Sequence, residues 1–319
     1  MRRRRVAALI TYLTLLVLTE RRSQNMGILD GKAAIVTGAG GGLGRAHALT
    51  LAKEGAAILV NDLGGSLDGS DGAGATMADQ VVAEIVEAGG TAVANHGSVT
   101  NEDDAKGMID QAVSEFGRLD ILINNAGILR DKSFKKMTPD LWDPVVEVHL
   151  KGTYYPTRAA YLHMIEAGHG GRIIMTSSTS GLVGNFGQTN YGAAKAGIAG
   201  FMRCLAIEAQ KAGITVNVLA PNAYSRMTAG IFPEGAEKRF APEKVSPAIA
   251  WLCSDDAQDI TGRQFVISGN RVTLLYPAAF QIGDNENADE SWTPAEIGAQ
   301  IRKTVEDWPA PPTVPELIF

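Results

Sequence analysis

Short apolar runs alternate with longer amphipathic stretches along the chain from residue 33 onward. The short runs are apolar at consecutive positions, as in strands that are buried on both faces of a sheet. They predict strands at 33–37, 57–61, 92–94, 121–124, 172–176, 215–219 and 264–268. Helical periodicity occupies the intervals at 43–53, 75–88, 102–116, 138–167, 191–211 and 242–254. This alternation predicts an α/β fold in which a doubly wound seven-stranded parallel sheet is the middle of three α/β/α layers.

The region after residue 269 departs from this pattern. Residues 270–319 form a tail that is predicted to contain one helix at 294–307. Pro294 suits the first helical position and Pro309 ends the periodicity. A tail of this length is short for an independent domain, so we expect it to pack on the core or on a neighbouring subunit.

The first 25 residues differ from the rest in charge. Residues 1–25 carry +5, mainly from six Arg, which leaves −11 on residues 26–319. Their apolar run at 6–18 is shorter than the about 20 residues that a membrane-spanning helix needs. Three interpretations stay open: an N-terminal extension outside the fold, a membrane-surface anchor, and an export signal that lacks the usual cleavage site. We favour the extension and expect a cytoplasmic protein.

Composition narrows the class of protein. Of the 319 residues, 45% are hydrophobic and 20% are charged, which excludes a wholly disordered chain. The net charge of −6 argues against a general nucleic-acid binder. Two Cys are too few for a disulfide scaffold, and Cys204 and Cys253 lie in apolar helical contexts that predict buried free thiols. We expect no metal site.

A glycine-rich loop, TGAGGGLG at 37–44, joins the first predicted strand to the first helix. This is the strand–loop–helix context of a Rossmann-like dinucleotide site. Gly38, Gly42 and Gly44 let the backbone turn sharply and approach a pyrophosphate, and the helix N-terminus supplies N–H groups. Asp62 ends the second strand, where a carboxylate accepts the adenosine ribose hydroxyls and repels a 2′-phosphate. The sequence therefore predicts NAD as the cofactor, although Asp62 could instead cap the glycine turn that follows it.

Tyr191 and Lys195 are four residues apart and share one face of a predicted helix. An unperturbed tyrosine has a pKa of about 10, and a neighbouring ammonium should lower that pKa. Tyr191 could then take the proton of an alcohol as a general base. Ser178 follows the fifth predicted strand, at the sheet edge where α/β folds bind ligands, and could orient the same alcohol oxygen. Ser177 and Ser180 are neighbours that spacing alone does not exclude.

These motifs together resemble the short-chain dehydrogenase/reductase family. The resemblance covers residues 27–268 and rests on TGAGGGLG at 37–44, NNAG at 124–127, Ser178 and YGAAK at 191–195. It implies a Ser–Tyr–Lys apparatus, reversible oxidation of a secondary alcohol, and a homodimer or homotetramer. Residues 26–269 would then be the NAD-binding catalytic domain.

Longer stretches resemble one subgroup of that family. NDLGG at 61–65, NNAGILRDKSF at 124–134 and GRIIMTSSTSGLVGNFGQTNYGAAKAGI at 171–198 carry this likeness. They are similar to the dehydrogenase part of the peroxisomal multifunctional enzymes of type 2 (17β-hydroxysteroid dehydrogenase type 4) and to single-domain bacterial relatives. The resemblance implies oxidation of (3R)-3-hydroxyacyl-CoA thioesters with NAD, or of hydroxysteroids.

The predicted and implied site residues fall into three sets. The catalytic set is Ser178, Tyr191, Lys195 and His149; His149 stands where many family members have a relay Asn, and it either serves the proton relay or packs between helices. The cofactor set is Gly38, Gly42, Leu43, Gly44, Asp62, Ser98, Val99, Asn125, Ala126, Gly127, Tyr191, Lys195, Pro221, Ala223, Ser225 and Arg226. The substrate set is Ser178, Asn185, Phe186, Gln188 and Tyr224, the last standing where a small residue is more usual.

The leading hypothesis is an NAD-dependent dehydrogenase of a hydroxyacyl-CoA or hydroxysteroid alcohol. An NADPH-dependent 3-oxoacyl reductase is the enzymatic alternative, and Asp62 argues against it. An NAD-binding scaffold without turnover is the non-enzymatic alternative, although such proteins usually lose Ser, Tyr or Lys from the catalytic set. We expect a small-molecule substrate, no nucleic-acid partner and no membrane span.

Overall fold

The computed structural model describes residues 27–64, 76–224, 235–282, 291–310 and 312–318. Its strands are β1 (Ala33–Thr37), β2 (Ala57–Asn61), β3 (Ala92–Asn95), β4 (Ile121–Asn124), β5 (Gly171–Thr176), β6 (Ile214–Asn222), β7 (Gln264–Ser268) and β8 (Arg271–Leu275). Its α-helices are α1 (Gly42–Lys53), α2 (Thr76–Glu87), α3 (Glu102–Phe116), α4 (Pro139–Val146), α5 (Gly152–Ala167), α6 (Thr179–Leu182), α7 (Thr189–Ala209), α8 (Ser246–Leu252), α9 (Pro294–Thr304) and α10 (Val314–Ile318). The predicted N-terminal extension lies outside the described residues. Within these ranges, no α-helix is long and apolar enough to cross a membrane.

The strands form one sheet in the order β3-β2-β1-β4-β5-β6-β7-β8. Neighbouring strands from β3 to β7 run parallel, which confirms the predicted doubly wound sheet. β8 adds an eighth strand that was not predicted, and it runs antiparallel to β7. Ser268 pairs with Arg271, so Gly269 and Asn270 form a two-residue hairpin loop, with Gly269 at a φ of +57°. A Gly-Asn pair between apolar runs is the signal in the sequence that would have found this hairpin.

Each face of the sheet carries its own apolar layer, because successive strand residues point to opposite faces. In β4, Ile121 and Ile123 pack toward α1, α2 and α8. Leu122 lies between them in sequence and packs toward α3, α5 and α7. The strand is buried on both faces, which is why its sequence is apolar throughout. The two layers together hold the strands in place, and the candidate site lies at the carboxyl ends of these strands.

The predicted helix at 138–167 is interrupted. A π-helical turn at Glu147–Lys151 separates α4 from α5. Such a turn inserts extra backbone into a helix, and a 3.6-residue apolar period does not report that insertion. His149 lies in this turn, and its side chain is buried.

The tail after β7 holds more structure than the one helix predicted. Besides β8, it contains α9, which Thr293 and Glu296 cap reciprocally, and the five-residue helix α10. α9 ends at Thr304 and continues as a 3₁₀ turn at Val305–Asp307, so the predicted bounds hold but the predicted helix type does not. The prediction of a single helix was wrong because five residues are too few to show a helical period.

The two cysteines differ in environment. Cys253 is buried, as predicted, whereas Cys204 on α7 is exposed, so the prediction of a buried thiol was wrong there. The buried face of α7 includes Met202 and Leu205. Cys204 lies two residues after Met202, which places it on a different face of the helix.

Candidate active site

The candidate site lies at the carboxyl edge of the sheet, beside β1 and β4. β1 pairs with β2 on one side and with β4 on the other, so the winding of the chain reverses here. Ligands of doubly wound sheets bind in the crevice that this reversal leaves outside the strand ends. The glycine loop after β1, Asp62 after β2 and the NNAG segment that begins at the last residue of β4 all stand at this edge.

Close backbone approach explains the glycines between β1 and α1. Gly38 has a φ of +61°, and a Cβ there would lie 2.7 Å from the Ala126 Cα. A Cβ on Gly44 would overlap the carbonyl oxygen of Gly38. α1 begins at Gly42 with no side-chain cap from the described residues. The N–H groups of its first turn, including that of Leu43, therefore suit an anionic ligand such as a pyrophosphate.

Asn125 fixes the glycine loop from the neighbouring strand. Its Nδ2 donates to the carbonyl oxygens of Thr37 and Gly38, each at 3.0 Å. Its backbone N–H donates to Thr37 Oγ1, also at 3.0 Å. These bonds engage the Asn125 amide in holding the loop, so they indicate support of the cofactor site, and its direct contact with a cofactor stays a prediction.

Asp62 is held in one orientation by two backbone groups. Its Oδ2 accepts the Gly40 N–H at 2.8 Å, and its Oδ1 accepts the Gly64 N–H at 2.8 Å. The predicted turn cap is therefore present. Each carboxylate oxygen has more than one acceptor position, so the same side chain can also accept hydroxyl groups of a ligand.

Ser98 and Val99 follow β3 at the same edge. The Ser98 N–H donates to Asp104 Oδ2 at 2.9 Å, and the Ser98 hydroxyl bonds the Thr100 hydroxyl at 2.9 Å. Val99 packs against Gly152, where a Cβ would lie 2.7 Å from Val99 Cγ2. Hydrogen bonds therefore fix Ser98 and packing fixes Val99. The contacts of both residues with a cofactor stay predictions.

Ser178, Tyr191 and Lys195 converge at the end of β5. Tyr191 and Lys195 both lie on α7, with Lys195 Nζ 5.5 Å from the centre of the Tyr191 ring. Lys195 Nζ also donates to the Thr176 carbonyl oxygen at 2.6 Å, which anchors it to the strand. Ser178 caps α6 by accepting the Ser180 N–H at 3.2 Å, and its side chain is near enough to that of Tyr191 to lower the Tyr191 pKa. The structure thus brings the three predicted catalytic residues together.

The two neighbouring serines are engaged elsewhere. Ser177 Oγ donates to the Lys195 carbonyl oxygen at 2.8 Å, and Ser180 Oγ donates to Gln188 Oε1 at 2.6 Å. Both side chains are buried. Among the three serines that the sequence left open, Ser178 is therefore the one whose hydroxyl meets Tyr191.

Burial moves the pKa values of Tyr191 and Lys195 in opposite directions, away from each other. Removal from water raises the pKa of Tyr191 to about 12; the Ser178 hydrogen bond opposes this rise and the charge of Asp131 adds to it. The same desolvation lowers the pKa of Lys195 to about 7. The expected net lowering of the Tyr191 pKa by Lys195 is thus wrong for the protein alone, because a lysine that is only partly charged at neutral pH stabilises a phenolate weakly. Additional positive charge near Tyr191 would be needed to make it a base at neutral pH.

His149 lies against Tyr191 from the π-helical turn. The two rings meet edge to face, with centroids 5.0 Å apart and planes at 85°. His149 Nε2 lies 2.8 Å from the Ile128 carbonyl oxygen, while Nδ1 is buried without a partner among the described residues. Burial, and then the charge of Lys195, hold the pKa of His149 well below its usual value, so the ring is neutral. Gly127 lies against this ring, and a Cβ there would overlap it.

Gln188 is the centre of a polar network on the predicted substrate side. Its Nε2 donates to Asp131 Oδ2 at 2.7 Å. Its Oε1 accepts from Ser180 Oγ at 2.6 Å and from Asn185 Nδ2 at 3.0 Å. Gln188 and Asn185 are therefore engaged with the protein itself, which indicates positioning of the site. Phe186, in contrast, is 90% exposed.

Asp131 and Asn190 are site residues that the sequence analysis missed. Burial raises the pKa of Asp131, and the Gln188 hydrogen bond opposes that rise. Asn190 Nδ2 donates to the Arg130 carbonyl oxygen at 2.9 Å, and its Oδ1 accepts the Tyr191 N–H at 2.8 Å. Both residues join segments that are about 60 positions apart, so local patterns could not show the contact.

The end of β6 supplies the remaining predicted contacts. Pro221 pairs with Ile267 inside the sheet, and Ala223 is buried. The Tyr224 N–H donates to the Phe240 carbonyl oxygen at 2.7 Å. Predicted contacts at Ser225 and Arg226 lie outside the described residues.

Comparisons with known proteins bear on the family and the fold of the chain. The family model for short chain dehydrogenases matches residues 32–233. The peroxisomal multifunctional enzyme type 2 of Mus musculus is 50% identical over 233 residues, which cover 73% of this chain and 31% of the mouse protein. A hydroxyacyl-CoA dehydrogenase of Mycobacterium tuberculosis is 37% identical over 294 residues, covering 88% of this chain and 90% of that protein. The crystal structure of a short chain dehydrogenase from Mycobacterium avium matches with a TM-score of 0.79 and 44% identity, over 89% of this chain and 98% of that one.

Proposed function

This chain belongs to the short-chain dehydrogenase/reductase family of enzymes that act on CH–OH groups, and from that membership we propose that it oxidises 3-hydroxyacyl-CoA thioesters with NAD. The observation that carries the proposal is the convergence of Ser178, Tyr191 and Lys195 at the carboxyl edge of the sheet. The relative in M. tuberculosis, which is named as a hydroxyacyl-CoA dehydrogenase, supports the substrate class. Because the chain matches less than a third of the mouse enzyme's length, we carry over no other activity of that protein.

Tyr191 is the general base in this proposal. The O–H proton of the alcohol passes to the phenolate oxygen of Tyr191, the carbon-bound hydrogen leaves as hydride, and a C=O bond remains. An oxidised nicotinamide cofactor held beside Tyr191 would supply the hydride acceptor and additional positive charge next to the base. Ser178 hydrogen-bonds the reacting oxygen and holds it beside the Tyr191 hydroxyl.

Lys195 and His149 complete the proposed proton path. Protonated Lys195 favours the phenolate form of Tyr191, and its bond to the Thr176 carbonyl oxygen keeps it in place. The neutral His149 ring can donate from Nε2 to Ile128, which leaves the buried Nδ1 as an acceptor. A water between Nδ1 and the ammonium of Lys195 would satisfy that acceptor and carry protons out of the site.

The residues around β1 and β2 fit a dinucleotide. A cradle in which a Cβ on Gly38 or Gly44 would clash lies beside the open N-terminus of α1, which suits a pyrophosphate. Asp62 is oriented by two backbone N–H groups at the end of β2, where it can accept both ribose hydroxyls. A 2′-phosphate at this position would face the carboxylate, and this repulsion is our reason for proposing NAD.

Asp62→Ser is expected to lower kcat/KM with NAD by about 10-fold to 100-fold, because a charge-assisted hydrogen bond contributes about 1.5–3 kcal/mol. The ratio of kcat/KM for NADP to kcat/KM for NAD should rise in the same variant, because the negative charge that repels a 2′-phosphate is gone. Asp110→Ser, which removes an exposed carboxylate from α3, is the matched control and should leave the ratio unchanged. A wild-type enzyme that prefers NADP, or a ratio that Asp62→Ser does not move, would contradict the assignment.

NADH formation by the full-length chain tests the proposed reaction. We expect turnover with (3R)-3-hydroxyacyl-CoA substrates and NAD, because the family resemblance implies that substrate and the Asp62 carboxylate supports the choice of NAD. A hydroxysteroid, the (3S) epimers, and a 3-oxoacyl thioester with NADPH are the comparison arms. Failure of every hydroxyacyl-CoA, or faster reduction of the 3-oxoacyl thioester with NADPH, would reject the proposal.

We also propose that the enzyme is a homodimer or homotetramer. A groove across α4, the π-helical turn, α5 and α7 is lined by the apolar or aromatic side chains of Trp142, Val146, Leu150, Tyr154 and Phe201, together with the charged Asp143, Glu147 and Lys151. An apolar patch with polar residues around it is typical of an interaction site. Pairing of this face with its own copy about a two-fold axis would bury it on both subunits.

A further inference from the structure

α10 differs from the rest of the tail in being buried. Leu317 and Ile318 are each 8% exposed, whereas α9 has no buried residue. Ser268 Oγ at the end of β7 donates to the Ile318 carbonyl oxygen at 2.8 Å, in a buried hydrogen bond. The tail therefore returns from α9 to the carboxyl edge of the sheet, which is also the edge of the active site.

Leu317 packs on the segment that carries Ser178. Its apolar cluster includes Leu182 and Val183, which end the short helix α6 that Ser178 caps. α10 and α6 are in direct contact. Leu317 thus supports the short helix that Ser178 caps.

Ile318 packs on the opposite border of the site. Its cluster includes Phe240 and Ala236, with Tyr224 packed against them. Tyr224 lies two residues after the end of β6, and its backbone N–H donates to the Phe240 carbonyl oxygen at 2.7 Å. Two consecutive residues of α10 therefore touch two segments that are otherwise separate in the chain.

The order of α10 depends on these contacts. A helix of five residues is not stable by itself, because too few hydrogen bonds repay the ordering of its backbone. Glu316 Oε2 accepts the Thr313 N–H at 2.7 Å and the Thr313 hydroxyl at 2.9 Å, which fixes only the start of the helix. Docking of Leu317 and Ile318 must supply the rest, so the helix and the two borders of the site are ordered together.

We propose that α10 is a positioning element of the active site: it ties the Ser178 segment to the Tyr224 segment and so sets the space for the apolar part of the substrate. This inference rests on the proposed function, because Tyr224 and Ser178 flank the substrate only if the site works as described. Among the described residues, the apolar clusters and hydrogen bonds of α10 include neither the glycine loop nor Asp62, so cofactor binding should not depend on it.

The double variant Leu317→Ser/Ile318→Ser in the full-length chain tests this role by steady-state kinetics. We expect KM for a long-chain 3-hydroxyacyl-CoA to rise by about tenfold or more, with kcat and KM for NAD within about threefold. The matched control is Ile297→Ser/Val305→Ser, which removes two apolar side chains from α9 and the turn after it, where neither is buried. An unchanged KM in the α10 variant, or an equal rise in the control, would overturn the proposal.

Hydrogen exchange separates failure of this inference from failure of the proposed function. The α10 variant should lose amide protection at residues 179–188 and 235–240, and the control should keep it, whichever substrate the enzyme uses. If the double variant does not fold, Ser268→Ala removes only the hydrogen bond to Ile318 and should produce the same pattern to a smaller extent. Retained protection in a folded variant would refute the coupling even if the enzyme oxidises hydroxyacyl-CoA as proposed.

Discussion

Replacing Tyr191 with phenylalanine will lower kcat by about 10²-fold to 10⁴-fold, the range that a general base supplies. The substitution removes the phenol oxygen and keeps the ring, so the edge-to-face contact with His149 is retained. NAD affinity should therefore stay within about threefold of the wild-type value. Steady-state kcat with the best hydroxyacyl-CoA measures the first quantity, and calorimetric titration of the variant with NAD measures the second.

Tyr161→Phe is the matched control for this experiment. Tyr161 lies on α5 and packs against the core layer of α3, α5 and α7, away from the catalytic set. The Tyr161→Phe variant loses the same kind of hydroxyl group, and its kcat should stay within about twofold of the wild-type value. Tyr191→Phe with wild-type turnover would show that another group accepts the proton, and loss of NAD binding would show that the variant had damaged more than the base.

Lys195→Met will abolish most turnover and yet yield a protein that is at least as stable at pH 7. Lys195 is buried, and desolvation lowers its pKa from 10.5 to about 7, so the folded state gives up a proton that the unfolded chain keeps. Each unit of such a shift corresponds to about 1.4 kcal/mol of unfolding free energy. Loss of the bond to the Thr176 carbonyl oxygen costs about 1–3 kcal/mol in the variant, which is smaller than the desolvation removed.

The lowered pKa of Lys195 also makes the stability of the protein depend on pH. Between pH 7 and pH 10.5 the unfolded chain holds the Lys195 proton and the folded protein does not. The lysine's contribution to stability therefore rises with pH across that window, by about 1.4 kcal/mol per unit, and is flat below it. Above about pH 10, Tyr191 acts in the opposite direction, because its folded pKa is raised to about 12.

Urea unfolding of wild type and Lys195→Met at several pH values between 6 and 10 measures the difference directly. The stability gap in favour of the variant should shrink as pH rises toward 10.5, where the free lysine also loses its charge. Lys211→Met, at an exposed position after α7, should show no such change. A gap that does not vary with pH would mean that Lys195 is charged in the folded protein.

Most of the parallel strands could be predicted because they are buried on both faces; β3, at the other edge of the sheet, is half-buried. β1, β2, β4 and β7 have the predicted bounds, and β3, β5 and β6 extend the predicted runs by one residue or a few. β8 follows a different rule: it is an edge strand with Val272 61% exposed, so a search for continuous apolar runs misses it. The sequence does indicate its hairpin through Gly269-Asn270, because these two residues favour the backbone conformations of a tight turn.

The catalytic residues were predictable for another reason. Tyr191 and Lys195 lie one helical turn apart, and Ser178 follows a strand, so local spacing already places them at one edge. The contacts of Gln188 with Asp131 and of Asn190 with the Arg130 carbonyl join distant segments, and no local pattern contains them. The shifts of the Tyr191 and Lys195 pKa values could not be predicted from the sequence either. Desolvation causes them, and only the packed structure defines how far each group is removed from water.

The antiparallel β8 changes which residues a neighbouring chain would meet at the end of the sheet. β7 is an inner strand here, and the open backbone groups at this end belong to residues 271–275 of the tail. Residues of that segment also hold α10, because Leu275 packs on the cluster of Leu317 and Arg271 Nη1 donates to the Glu316 carbonyl oxygen. A change at the exposed Val272 would therefore alter the sheet edge alone, whereas a change at Leu275 would also reach the border of the active site.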